Sequence, residues 1–97
     1  MQKEVHFYVV GRVQGVGYRR WCQRIASKMG LSGWVRNRAD GSVEVKSIGD
    51  SLVIDAFLKS CLEGPSWARV DKLIPVAIPS ALEVPILENE FQILSTK

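Results

Sequence analysis

Val5-His6-Phe7-Tyr8-Val9-Val10 runs into Gly11-Arg12-Val13-Gln14-Gly15-Val16-Gly17-Tyr18-Arg19, and the change of pattern at Gly11 decides the fold. The first six residues are β-branched and aromatic, which predicts a strand. Apolar residues of both parities make it an interior strand with one face well buried and the other partly covered. The glycines then break the pattern. From Arg19 to Met29 the apolar residues Trp21, Cys22, Ile25, Ala26 and Met29 recur at helical spacing. Arg20, Gln23, Arg24 and Ser27 take the other face, and Gly30 stands where a left-handed C-terminal cap belongs.

Working outward, Trp34 to Arg38 and Ser42 to Ile48 read as two strands around Asp40-Gly41, a strong hairpin signal. Asp50 or Ser51 can cap a second helix with Val53, Ile54, Phe57, Leu58 and Cys61 on its inner face, ended by Gly64-Pro65. Trp67 to Leu73 predicts a fourth strand and Phe91 to Leu94 a short last one. The order is β-α-β-β-α-β with a small extra strand. It predicts an α/β (α+β) open-faced sandwich of ferredoxin-like type, with a mainly antiparallel sheet and two helices on one face.

The bulk properties agree with one domain spanning 1–97, with no repeat, low-complexity tract or linker. The net charge of +3 is unevenly spread: residues 1–46 carry nine Lys/Arg against three Asp/Glu, and residues 47–97 carry four against seven. The basic half holds the glycine loop, which fits a small anionic ligand better than a nucleic acid with its broader footprint. No segment reads as a signal peptide or a membrane span, so a cytoplasmic location is expected. Cys22 and Cys61 are too few for a disulfide framework. Both lie on apolar helix faces and read as buried thiols, although a bridge between the helices stays open.

Gly11, Gly15 and Gly17 permit positive φ, so backbone N–H groups between Gln14 and Arg19 can converge on one anion at a helix start. Arg19 adds a planar, permanently charged fork suited to two phosphate oxygens. Loop composition alone fits a plain strand-to-helix turn equally well. Asn37, at a strand end before the hairpin turn, reads alone as a turn residue. Brought near the loop by the crossover, its amide oxygen can accept a hydrogen bond from a water and aim it at phosphorus.

The other candidates fall away. His6 reads as a packed or edge side chain, Cys22 as core, Asp40 as a turn residue and Glu44 as the solvent side of a strand. Trp21, Trp34 and Trp67 fall at periodic positions and are assigned to packing. No cluster has metal-ligand spacing, and no Gly-Lys-Ser/Thr ends the loop, so neither a metal nor a Walker-type nucleotide site is expected. The lack of an acid or base then limits the chemistry. A phosphate ester needs its alkoxide leaving group protonated, by a metal-assisted route or a general acid. An acyl phosphate releases a carboxylate whose acid has a pKa of roughly 4, and positioning with charge stabilisation suffices.

Gly11-x-Val13-Gln14-Gly15-Val16-x-Tyr18-Arg19 and Gly30-Leu31-x-Gly33-Trp34-Val35-x-Asn37-x-x-Asp40-Gly41-x-Val43-Glu44 resemble, in order and spacing, the two signature blocks of the acylphosphatase family. Gly64-Pro65, Ala68-x-Val70 and Phe91-x-Ile93 resemble its later landmarks, so the likeness covers essentially the whole chain. The resemblance implies hydrolysis of acyl phosphates to a carboxylate and phosphate without a cofactor. It implies Arg19 as the phosphate-binding arginine, Asn37 as the water-orienting asparagine, and Gln14, Gly15, Val16, Gly17 and Tyr18 as the phosphate loop. Tyr18 departs from the family's usual Phe, a change expected to touch stability or loop polarity more than activity.

The expected partner is a small-molecule acyl phosphate, with no nucleic acid and no membrane. The chain is expected to act as a free-standing monomer. Leu73 to Leu87 is unexpectedly apolar, however, and weak self-association through 73–94 is the sharper alternative to a strand and connection folded over the sheet. A non-catalytic anion- or protein-binding module on the same scaffold is the main alternative function. RNA binding ranks below it, since Tyr8 lacks an aromatic partner on Ser42 to Ile48.

Overall fold

The computed structural model describes residues 1–76 and 84–97. Five strands and two helices follow in the order β1 (Gln2–Arg12), α1 (Tyr18–Lys28), β2 (Ser32–Asn37), β3 (Val43–Asp50), α2 (Ser51–Glu63), β4 (Arg69–Pro75) and β5 (Phe91–Ile93). They form one sheet in the order β4-β1-β3-β2-β5. Three pairings are antiparallel, and β5 runs parallel to β2 through Gly33–Phe91 to Val35–Ile93. This is the expected ferredoxin-like topology.

The strand ends differ from expectation for a common reason: partners, not local pattern, set how far a strand runs. β1 extends to Gln2 because Gln2 pairs with Asp50 at the far end of β3. At its other end Arg12 pairs with Arg69 of β4 across an irregularity between Val10 and Gly11. β4 accordingly starts at Arg69 and not at Trp67, which is left in the turn before it.

Two-residue periodicity sorts the side chains. Phe7, Val9, Val35, Val43 and Val45 face the helices and join Tyr18, Cys22, Ala26, Ile54, Phe57 and Cys61 in the buried core. The opposite parity places His6, Trp34, Arg36 and Glu44 on the other face. Glu44 corrects the sequence reading, because it is only 4% exposed. Its carboxylate takes hydrogen bonds from Arg36 Nε at 2.8 Å and His6 Nε2 at 2.6 Å. The Arg36 guanidinium lies 4.7 Å above the Trp34 ring. On the same face Arg38 covers the Tyr8 ring at 4.1 Å, so that ring presents no bare stacking surface on that side.

Cys22 and Cys61 are fully buried free thiols, and burial pushes the Cys22 thiol upward, away from a nucleophilic thiolate. The apolar segment 73–94 singled out for self-association falls partly on residues 77–83, outside the described residues. Its described beginning, Leu73 to Pro75, ends β4, which is an edge strand among the described residues and carries Arg69, Asp71 and Lys72 just before it. No helix among the described residues is long and apolar enough to cross a membrane.

Candidate functional site

The two helices begin in opposite ways. Asp50 caps α2 conventionally, its Oδ1 accepting from Leu52 N–H at 3.0 Å. At α1 the capping position is Gly17, held in the left-handed conformation at φ 80°, and no side chain caps it. The N–H groups of a helix's first turn have no intrahelical acceptor. Those of α1 are therefore left facing the loop. Gly15 is also left-handed, at φ 73°. Alternation of left- and right-handed residues turns successive N–H groups inward, the geometry of an anion-binding nest.

Charge sharpens the point. The first turn of a helix favours carboxylates, yet α1 has no acidic residue there and carries Arg19 and Arg20 instead. That placement costs the isolated helix stability, and an anion bound at the same end offsets the cost. Helical side chains tilt toward the N-terminus, so both arginines reach back over the loop. Among the described residues neither has an ion pair or a side-chain hydrogen bond.

Asn37 comes to the same place from another direction. It shares parity with Val35, so its side chain projects on the helix-bearing face. Its backbone is held by Lys97, whose N–H donates to the Asn37 carbonyl at 3.0 Å. Asn37 Oδ1 is buried and has no hydrogen-bond partner among the described residues. A buried acceptor left unmet costs about 1–3 kcal/mol, which singles it out from the satisfied polar groups around it.

Arg19, Arg20, Asn37, Gly15, Gly17, Val13 and Ile93 line one cavity of about 400 Å³ at this end of the sheet. An apolar groove of similar size, about 390 Å³, beside Phe7 and Leu58 lies elsewhere and brings together no such groups. The expected Arg19 and Asn37 thus line one cavity together with Gly15 and Gly17.

The side chains of the remaining loop residues point elsewhere. Gln14 turns its side-chain amide away to donate 2.7 Å hydrogen bonds to the carbonyl oxygens of Arg38 and Ser42. Val16 packs against the core. Tyr18 is buried, and its hydroxyl donates to the Cys61 carbonyl oxygen at 2.7 Å, away from the cavity. Burial holds that hydroxyl far above its usual titration range, so it stays protonated. Gly11 also leaves the set of loop glycines: it lies within β1 against β4, where a Cβ would collide with the Arg69 carbonyl oxygen. Val13, Arg20 and Ile93 also line the cavity, beyond the residues the sequence assigns to the site. Among the described residues no group of His, Cys, Asp or Glu is placed to hold a metal ion.

Comparisons with known proteins meet this geometry. A family model described as acylphosphatase matches residues 5–93. The chain is 46% identical over 89 residues to an acylphosphatase of Rhodopseudomonas palustris, covering 91% of this chain and 90% of that one. It is 54% identical over 71 residues to an acylphosphatase of Methylococcus capsulatus, covering 73% and 77%. The crystal structure of acylphosphatase from Bacillus subtilis superposes with a TM-score of 0.77 at 30% identity, covering 97% and 99%.

Proposed function

Since this chain belongs to the acylphosphatase family, we propose that Arg19, Asn37 and the loop N–H groups divide its reaction among them. The enzyme hydrolyses acyl phosphates to a carboxylate and inorganic phosphate. In our reading the guanidinium of Arg19 and the N–H groups from Gln14 to Arg19 hold the phosphoryl oxygens. Asn37 Oδ1 accepts a hydrogen bond from the attacking water and aims its lone pair at phosphorus. The water oxygen bonds to phosphorus as the bond to the acyl oxygen breaks, and the electron pair leaves with the carboxylate. The water proton passes to a phosphoryl oxygen, giving carboxylate and dihydrogen phosphate with no side-chain acid or base. Orientation and preorganised charge supply the rate.

One observation carries this reading: Asn37, whose buried Oδ1 has no hydrogen-bond partner among the described residues, lines the same cavity as Arg19. The reading needs no metal and no other cofactor. We further propose that residues 1–97 act as one domain, as a cytoplasmic monomer with a small-molecule substrate. Charged residues and Pro75 on edge strand β4 discourage strand-to-strand pairing and support the monomer. Light scattering should give one mass at every concentration, and a mass rising with concentration would argue for association instead.

The test is hydrolysis of benzoyl phosphate in EDTA by the wild type, Arg19→Ala and Asn37→Ala. Arg19→Ala should lose about 10³-fold or more in kcat/KM together with inhibition by inorganic phosphate. Asn37→Ala should lose roughly 10²–10³-fold in kcat while inorganic phosphate still inhibits it. An unchanged kcat in Asn37→Ala would falsify the assignment.

A further inference from the structure

Trp67 does not pack as its spacing suggested. It stands in the turn between α2 and β4 and is 56% exposed, whereas Trp34 is fully buried. A Cβ built on Gly17 would lie 3.6 Å from Trp67 Nε1. The indole therefore rests against the residue that opens α1 and lines the cavity. Among the described residues its N–H has no hydrogen-bond partner. An exposed indole beside a binding loop offers an apolar face and one donor, the combination that makes Trp frequent at recognition surfaces.

Its position relative to Asn37 gives it a role. Displacement in line places the attacking water and the leaving group on opposite sides of phosphorus. Asn37 ends β2, and Trp67 comes two residues before β4 begins. In the sheet, β1 and β3 separate those strands, a span of about 14 Å at ~4.8 Å per strand. The loop that follows β1 lies between them. With water held on the Asn37 flank, the acyl group extends toward the β4 flank, where the indole is.

We propose that Trp67 is the acyl-selecting residue, its ring face packing against the acyl group and favouring aromatic or bulky apolar acyl phosphates over small ones. The inference rests on the roles given above to Arg19 and Asn37. It concerns the group that departs, which neither residue touches.

The experiment measures kcat/KM for benzoyl phosphate and acetyl phosphate with the wild type, Trp67→Ala, Trp67→Leu and Trp67→Phe. Comparing ratios between variants cancels the intrinsic difference in reactivity of the two substrates. Trp67→Ala should lower the benzoyl-to-acetyl ratio about tenfold by its effect on benzoyl phosphate alone. Inhibition by inorganic phosphate should not change. Trp67→Phe should keep most of the ratio, and Trp67→Leu should fall between the two. Because the side chain is exposed, the variants should fold, which circular dichroism checks; Phe against Leu still decides if Ala does not. Parallel losses on both substrates would make Trp67 a brace for the loop and overturn the proposal, as would an unchanged ratio. A folded wild type that hydrolyses neither substrate would overturn the Arg19–Asn37 reading itself, a different result from a lost preference with turnover intact.

Discussion

Gln14 Nε2 donates to the Arg38 carbonyl oxygen at 2.7 Å, joining the loop between β1 and α1 to the residue beside Asn37. The same amide reaches the Ser42 carbonyl at 2.7 Å, while Arg38 N–H itself donates to that carbonyl at 2.9 Å. Gln14 thus closes the mouth of the β2–β3 hairpin from outside. It fixes how far the loop stands from the Asn37 amide without itself lining the cavity.

Gln14→Ala should therefore separate the two halves of the site. We expect about a tenfold fall in kcat from misplacement of water against phosphorus, with inorganic phosphate still bound. Stability should drop by about 1–2 kcal/mol as two carbonyls lose a partner. Steady-state kinetics with phosphate as inhibitor, alongside urea denaturation, measures both effects. Loss of phosphate binding as large as the loss of kcat would place the Gln14 side chain in the cradle instead.

Gly11 and Gly15 should fail in different ways when replaced by Ala. At Gly11 the new Cβ meets the Arg69 carbonyl oxygen, and two paired strands must move apart; we expect a loss of about 3 kcal/mol or more. At Gly15 nothing lies within 4 Å of a Cβ, so the cost is the left-handed backbone alone, about 1–2 kcal/mol. Gly15→Ala should fold and yet lose at least about tenfold in kcat/KM as the loop N–H groups turn. Thermal melts and turnover on the same preparations distinguish a structural glycine from a functional one.

Glu44 should govern the acid limb of stability. Burial alone pushes its carboxyl up, but the hydrogen bonds and charges of Arg36 and His6 outweigh burial and hold it below its usual value. A carboxyl with a lowered folded pKa stabilises the fold fully above the unfolded value, about 4.3, and the gain disappears as pH falls through the lower folded value. Glu44→Gln should cost about 3 kcal/mol at pH 7 and flatten the fall of stability below pH ~4.3. Chemical denaturation across pH 2–7 reads this directly. An acid limb equally steep in the variant would assign it to other carboxylates.

What could be read from residues alone follows a physical division. The glycine break, the helical spacing after it and the Asp40-Gly41 turn are local signals, and they put Arg19 at a helix start and Asn37 at a strand end, where both line one cavity. Loop position says nothing of where the Gln14 side chain goes; its amide finds carbonyls 24 and 28 residues away. Glu44 was assigned to solvent by strand parity, which cannot reveal that Arg36 and His6 bury that face. Arg20 was legible in principle. With Gly17 as the capping residue, the helix starts at Tyr18, and Arg20 falls in the first turn, whose side chains lean back over the loop. Ile93 reaches the cavity only through the parallel pairing of β5 with β2, a contact no local pattern encodes.

The unmet oxygen of Asn37 makes rigidity and turnover compete at a single position. At rest the folded chain carries a buried acceptor that a small apolar side chain would remove, so heat resistance and activity pull residue 37 in opposite directions. On the role proposed for Asn37, a programme that ranks variants of this chain by melting temperature alone will tend to improve the protein by abolishing the enzyme. Holding residue 37 constant is the condition under which thermostability at other positions can be sought without that loss.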